Sequence, residues 1–137
     1  MRDVLLYAHI LIGALLILLP FIILSQLKAK NPIAKQLSFL TAGLSWILLI
    51  PAGKLYITFY PATKTVIKAG AWPWAHSIIM ETKEHWGLLL PIIATTAAFL
   101  VYDGKNEESR KWWILLAIAS LLIGIMGRIV KMGALAR

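Results

Sequence analysis

The sequence contains no cysteine, which removes disulfides, iron–sulfur clusters, thiolate zinc sites and dithiol redox chemistry from the functions it can perform. Acidic side chains are scarce: Asp3, Glu81, Glu84, Asp103, Glu107 and Glu108 stand against 14 Lys and Arg. Only 15% of the residues are charged and 60% are apolar, whereas soluble domains sit near a quarter charged and about half apolar. There is no Gly/Ser linker, no low-complexity tract and no internal repeat. A Ser-His-Asp set, a phosphate-binding glycine loop and a zinc-protease motif are also missing, so a hydrolase or ATPase has no residues to rest on. What remains is a bilayer composition in a single domain of 137 residues, spanning positions 1–137. The net charge of +8 is spread between apolar runs rather than gathered on one segment. That placement suits phospholipid headgroups, and nucleic-acid binding is not expected.

Four apolar runs carry the architecture. The first is uncharged from Val4 to Leu27, long enough to cross a hydrocarbon core of about 20 helical residues. It outlasts a signal-peptide core, follows both Arg2 and Asp3, and ends without a small-residue cleavage site, so it reads as a mature helix. Pro20 predicts a kink within it. A basic turn broken at Asn31-Pro32 leads to a second span near 36–58, whose far end Pro51 and Gly53 should loosen. The segment Pro61 to Pro73 reads as an interfacial loop, re-entrant turn or short surface helix. The third span, near 76–102, begins inside the most polar apolar-flanked stretch of the chain, WPWAHSIIMETKEHWGLLLP (Trp72 to Pro91). After the turn DGKNEESRK, Trp112-Trp113 opens a fourth span near 111–132 as an aromatic belt. The expected fold is all-α: an integral membrane four-helix bundle, up-down-up-down, with short turns.

Such a bundle places both termini at one end, side A, and the two short turns at the other, side B. The side-B turns hold six basic residues, against five on side A once Lys54, Lys83 and Arg128 are assigned to the spans. This small excess puts side B in the cytoplasm, in a multi-pass cell-membrane protein.

Counting about 20 residues inward from each side-B boundary brings His9, Lys54, His85 and Arg128 to a shared depth, one from each span. Two imidazoles and two cations in one layer suit a b-type haem, with neutral imidazoles on the iron and cations at the propionates. Gly13 follows His9 by one turn on the same face and clears space for a ring. Gly87, Gly124 and Gly127 thin the neighbouring turns. On His9, Gly13, His85 and Arg128 the chain resembles the small four-helix membrane cytochromes b, in which histidines on facing helices clamp haem. Many of those carry two histidine pairs; this chain has no histidine in its second or fourth span, which argues for one haem.

Glu81 lies one turn before His85 and is placed to orient its second nitrogen. His76 stands nine residues before His85, on the opposite face of a regular helix, and Glu84 falls near the face of His76 and Met80. A His9/Glu81/His85 site for zinc or iron is a rival, although the Glu-x-x-His repeat of di-iron bundles is absent. Lys54, Lys83, Arg128 and Lys131 also have the plain reading of cations snorkelling to headgroups. Two functions follow. One is a membrane electron-transfer protein with a single haem, trading electrons with a quinol or a redox partner subunit, Glu81, Glu84 or His76 handling protons. The other is a non-enzymatic membrane subunit or small transporter, alone or in a homo- or hetero-oligomer, whose polar layer anchors, gates or binds a partner.

Overall fold

The computed structural model describes residues 1–136, and these form helices joined by short turns, with no strand among the described residues. Helix α1 covers Arg2–Lys28, α2 Ile33–Lys54, α3 Tyr60–Ala69, α4 Glu81–Tyr102 and α5 Asn106–Leu135. A π-helical turn, Leu55–Phe59, joins α2 to α3 without a break, and a second, Ala75–Met80, leads directly into α4. Four continuous helices, 2–28, 33–69, 75–102 and 106–135, are therefore long and apolar enough to cross a membrane. The second is longer than the span expected from sequence. Pro61, at the start of α3, cannot donate to the carbonyl one turn back, and the chain accommodates it with a widened turn rather than a loop. The helices likewise run on through Pro20, Pro51 and Pro91.

The turns follow local chemistry. Asn31 Oδ1 accepts from the Ile33 N–H at 3.1 Å, capping α2 just where Asn31-Pro32 breaks the chain. Gly104, at φ +77°, closes α4 with the Lys105 N–H donating to the Leu100 carbonyl at 2.8 Å. In the same turn Lys105 Nζ lies 2.8 Å from Asp103 Oδ2. That hydrogen bond, and then the charge behind it, lowers the Asp103 carboxyl below its ordinary range and raises the Lys105 amine.

The four long helices form a square in which α1 packs on α2 and α5, and α4 packs on α2 and α5, leaving α1 diagonal to α4. The packed faces are built from small residues. On α2 the buried stripe is Ala34, Ser38, Thr41, Ala42, Ser45 and Leu48. The hydroxyls on it donate back to their own helix at 2.6–2.7 Å, so none of these three is left unsatisfied. Opposite stand Ala94, Ala97 and Ala98 of α4, each at most 1% exposed. Small faces let backbones approach, which is how helices associate where the surroundings are as apolar as the side chains. Leu16, Ile23, Leu90, Trp113 and Leu116 fill the rest of the central layer. Large apolar side chains such as Phe21, Ile47, Ile50, Leu88, Ile92 and Phe99 point outward instead. A bundle apolar both inside and out is the pattern of helices solvated by lipid.

Candidate functional site

From α1 residue 10 to 27, and over the matching lengths of α2, α4 and α5, the sequence carries no titratable group. All such groups within the bundle collect toward side A, in two storeys. The outer storey is a chain of three. Tyr60, from the first turn of α3, places its hydroxyl 3.0 Å from His76 Nδ1, and His76 Nε2 lies 3.6 Å from Glu81 Oε1. The His76 side chain is 7% exposed and that of Glu81 44%, so a buried imidazole connects to a carboxylate that can be reached from outside. Tyr56 stacks on Tyr60 with ring centroids 5.4 Å apart, and Ile67, Ala75, Met80 and Val130 close a small apolar cluster around them.

Both π turns are needed for this arrangement. His76 and Glu81 are five residues apart, and the i→i+5 bonding of Ala75–Met80 stacks such a pair where an α-helix would splay them. The expectation from a regular helix, that Glu81 serves His85 and His76 stands apart, is thereby corrected. The Glu81 carboxylate turns to His76. His85 is held by the Glu81 backbone carbonyl, 2.6 Å from its Nδ1, and its ring lies exposed on the outer side of α4. The close approach of α5 helps: a Cβ on Gly133 would stand 2.6 Å from that of Ala75, so this helix end seats directly on the π turn.

The inner storey lies one turn deeper, around the bundle axis. Tyr56, from the first π turn, approaches the Glu84 carboxyl, whose Oε1 is enclosed yet makes no hydrogen bond. Lys83 turns the other way, its Cε 3.3 Å from where a Gly127 side chain would begin. It is inside the bundle and acts electrostatically on His9 of α1, whose Nδ1 is buried without a partner. Lys83 is thus turned inward rather than snorkelling, against the side-chain-free surface at Gly127.

Of the expected haem residues, the structure keeps the depth but not the convergence. His9 is half-buried and faces inward, while His85, Lys54 and Arg128 are exposed on outer faces of diagonal or neighbouring helices. Lys83 and His85 lie about 200° apart around α4, so with Lys83 inside, His85 is outside. The pair does not face a common space within one chain. Beside Gly13, Gly87 and Gly124 an added Cβ would meet nothing within 4 Å, and Gly124 lies on the exposed surface of α5. No group of three or more His, Asp or Glu among the described residues is arranged to hold a metal ion.

Tyr56, Tyr60 and Lys83 are the members that sequence reasoning missed. Two tyrosines at i, i+4 in an aromatic-rich run carry no mark of which way they face, and only the π turn reveals it. The Gly127 notch was a legible signal for Lys83, since both fall at one depth. No known protein family, curated protein or solved structure matches the chain.

Proposed function

We propose that the chain is a multi-pass cell-membrane protein of the electron-transfer class. It holds the head group of a quinol at side A and exchanges that ligand's protons, its electrons going to a redox partner subunit. The observation that carries this reading is the chain Tyr60–His76–Glu81: a buried imidazole hydrogen-bonded to Tyr60 at Nδ1, with an accessible carboxylate 3.6 Å from its Nε2. Glu81 is placed to accept a ligand hydroxyl, His76 to take the proton from it, and Tyr60 to fix which imidazole nitrogen carries hydrogen. The depth profile supports a one-sided role. Titratable groups stop at the inner storey, and beyond it the axis is closed by Leu16, Leu90, Ile93 and Ala94. A transporter needs access from both faces, whereas a quinol needs only an apolar approach and a route for protons to one face. Side B, with its basic turns, is placed in the cytoplasm.

Saturable quenching of tryptophan fluorescence by a short-chain quinone, with the protein in lipid nanodiscs, tests this. Trp72 and Trp74 stack at 5.4 Å beside the outer storey and supply the signal. We expect saturation at micromolar quinone and about a tenfold weaker Kd in Glu81→Gln, equivalent to ~1.4 kcal/mol. Non-saturating quenching, equal in the variant, would leave the anchoring or transport role instead. A second reading, one b-type haem, keeps a specific observation in its favour at His9, with its unpartnered Nδ1 and the open space beside Gly13 on the same face. Haem bound there would supply one-electron transfer at the inner storey, but His85 of the same chain does not complete its ligand pair. A Soret band that sharpens on reduction and disappears in His9→Ala would establish that reading over the quinol one.

A further inference from the structure

Two enclosed polar atoms beside the bundle axis lack a hydrogen-bond partner, and a lysine beside them has no ion pair among the described residues. His9 Nδ1, from α1, and Glu84 Oε1, from α4, are both enclosed and make no hydrogen bond. Lys83 Nζ makes no ion pair among the described residues. Lys83 and Glu84 are adjacent in sequence and therefore about 100° apart around α4. One is directed to the Gly127 notch of α5 and toward His9, the other to Tyr56, so the ammonium and the carboxylate flank the axis without meeting. Buried polar atoms in folded proteins are almost always satisfied, by protein or by ordered water. Two such atoms, His9 Nδ1 and Glu84 Oε1, with the unpaired Lys83 ammonium beside them, make an arrangement that a ligand would complete.

The chemistry of the three selects that ligand. Lys83 can only donate, the ionised Glu84 can only accept, and His9 Nδ1 does one or the other according to tautomer. An anion would satisfy Lys83 and be repelled by Glu84; a cation would do the reverse. Water donates and accepts, needs only two to four polar partners, and fits between groups that a direct contact cannot join. We infer that Lys83, Glu84 and His9 hold an internal water cluster that links α4 to α1 across the bundle axis and relays protons between Glu84 and His9. Each hop moves one proton along a hydrogen bond and regenerates the water. Tyr56, which approaches Glu84, stacks on Tyr60 and so packs this inner relay against the outer chain. The use of the relay rests on the proton-exchanging function proposed above; its existence does not.

Water-edited solid-state NMR of histidine-labelled protein in bilayers, with no quinone added, reads this directly. His76→Gln and His85→Gln variants assign the three imidazoles. Magnetisation from water should reach His9 Nδ1 as fast as it reaches the exposed His85. Lys83→Met should abolish transfer to His9 while leaving His85 unchanged, and Lys83→Arg should restore it. Slow transfer to His9 in the unaltered protein, at the rate of the surrounding core, would overturn the inference, as would fast transfer that persists in Lys83→Met. The unaltered protein alone decides the first point if Lys83→Met does not fold. Quinone binding without hydration of His9 would remove the relay and leave the proposed function standing; hydration without quinone binding would do the opposite.

Discussion

His76→Ala should destabilise the bundle and weaken ligand binding together. Removing the imidazole leaves the Tyr60 hydroxyl buried without its 3.0 Å partner and deprives Glu81 of its neighbour. An orphaned buried polar group costs about 1–3 kcal/mol, and the emptied volume beneath Met80 and Val130 adds a cavity term. Tyr60→Phe should cost less, about 1–3 kcal/mol without the cavity term, because it orphans only His76 Nδ1 while Nε2 keeps Glu81 beside it. The double variant should then be less destabilised than the two single changes added, since both remove one contact. Unfolding in increasing denaturing detergent, followed by circular dichroism, measures all three. His85→Ala is the control, its ring being exposed and bonded only to its own helix. If His76→Ala behaves like His85→Ala in both stability and quinone affinity, the buried chain has no role in either.

The helices and their order were legible because they follow from counts along the chain: apolar runs of bilayer length divided by Asn31-Pro32 and by the Asp103–Lys111 turn. Depth was legible for the same reason. One residue is a fixed rise, so His9 and the 83–85 region share a level whatever the packing. Azimuth was not. Which side of a helix faces the axis depends on the residue count per turn, and two π turns change that count just where the polar groups lie. Each inserts one residue, which carries Glu81 to His76 rather than His85 and swings Tyr56 and Tyr60 toward the same storey. Nothing in the strings LYITF or AHSIIM distinguishes a π turn from an α turn. The proline at 61 hints at the first; the second has no such marker.

The same reasoning separates the cations. Lys54 and Arg128 reach outward, as cations at helix ends usually do, whereas Lys83 is drawn in by a glycine on the facing helix. The glycine leaves room on α5 for that side chain. It also explains why that charge sits near His9, since α1 and α5 are neighbours in the square.

Ala94→Leu should be the most damaging change away from the polar groups. Ala94 and Ala97 have no exposed surface on a helix that packs against both α2 and α5, and Ser45 and Thr41 of α2 are equally enclosed. Three added carbons have nowhere to go: α2 and α4 must separate, and the Trp46 Nε1 to Thr95 Oγ1 hydrogen bond at 3.0 Å between them lengthens or breaks. Overpacking of this kind costs about 1–3 kcal/mol in ordinary cores. Here the cost has little to offset it, because helices in lipid gain from close packing rather than from removing apolar surface from water. Ile92→Leu supplies the comparison, being on the same helix but 56% exposed, and should change stability by no more than about 0.5 kcal/mol. Because α4 also carries Glu81, Lys83 and Glu84, its displacement should weaken quinone binding although Ala94 touches none of them. Detergent unfolding and fluorescence quenching on the same two variants check both effects. Equal stability of Ala94→Leu and Ile92→Leu would mean that α4 is not closely packed along this face, and the square arrangement that builds the site would have to be abandoned.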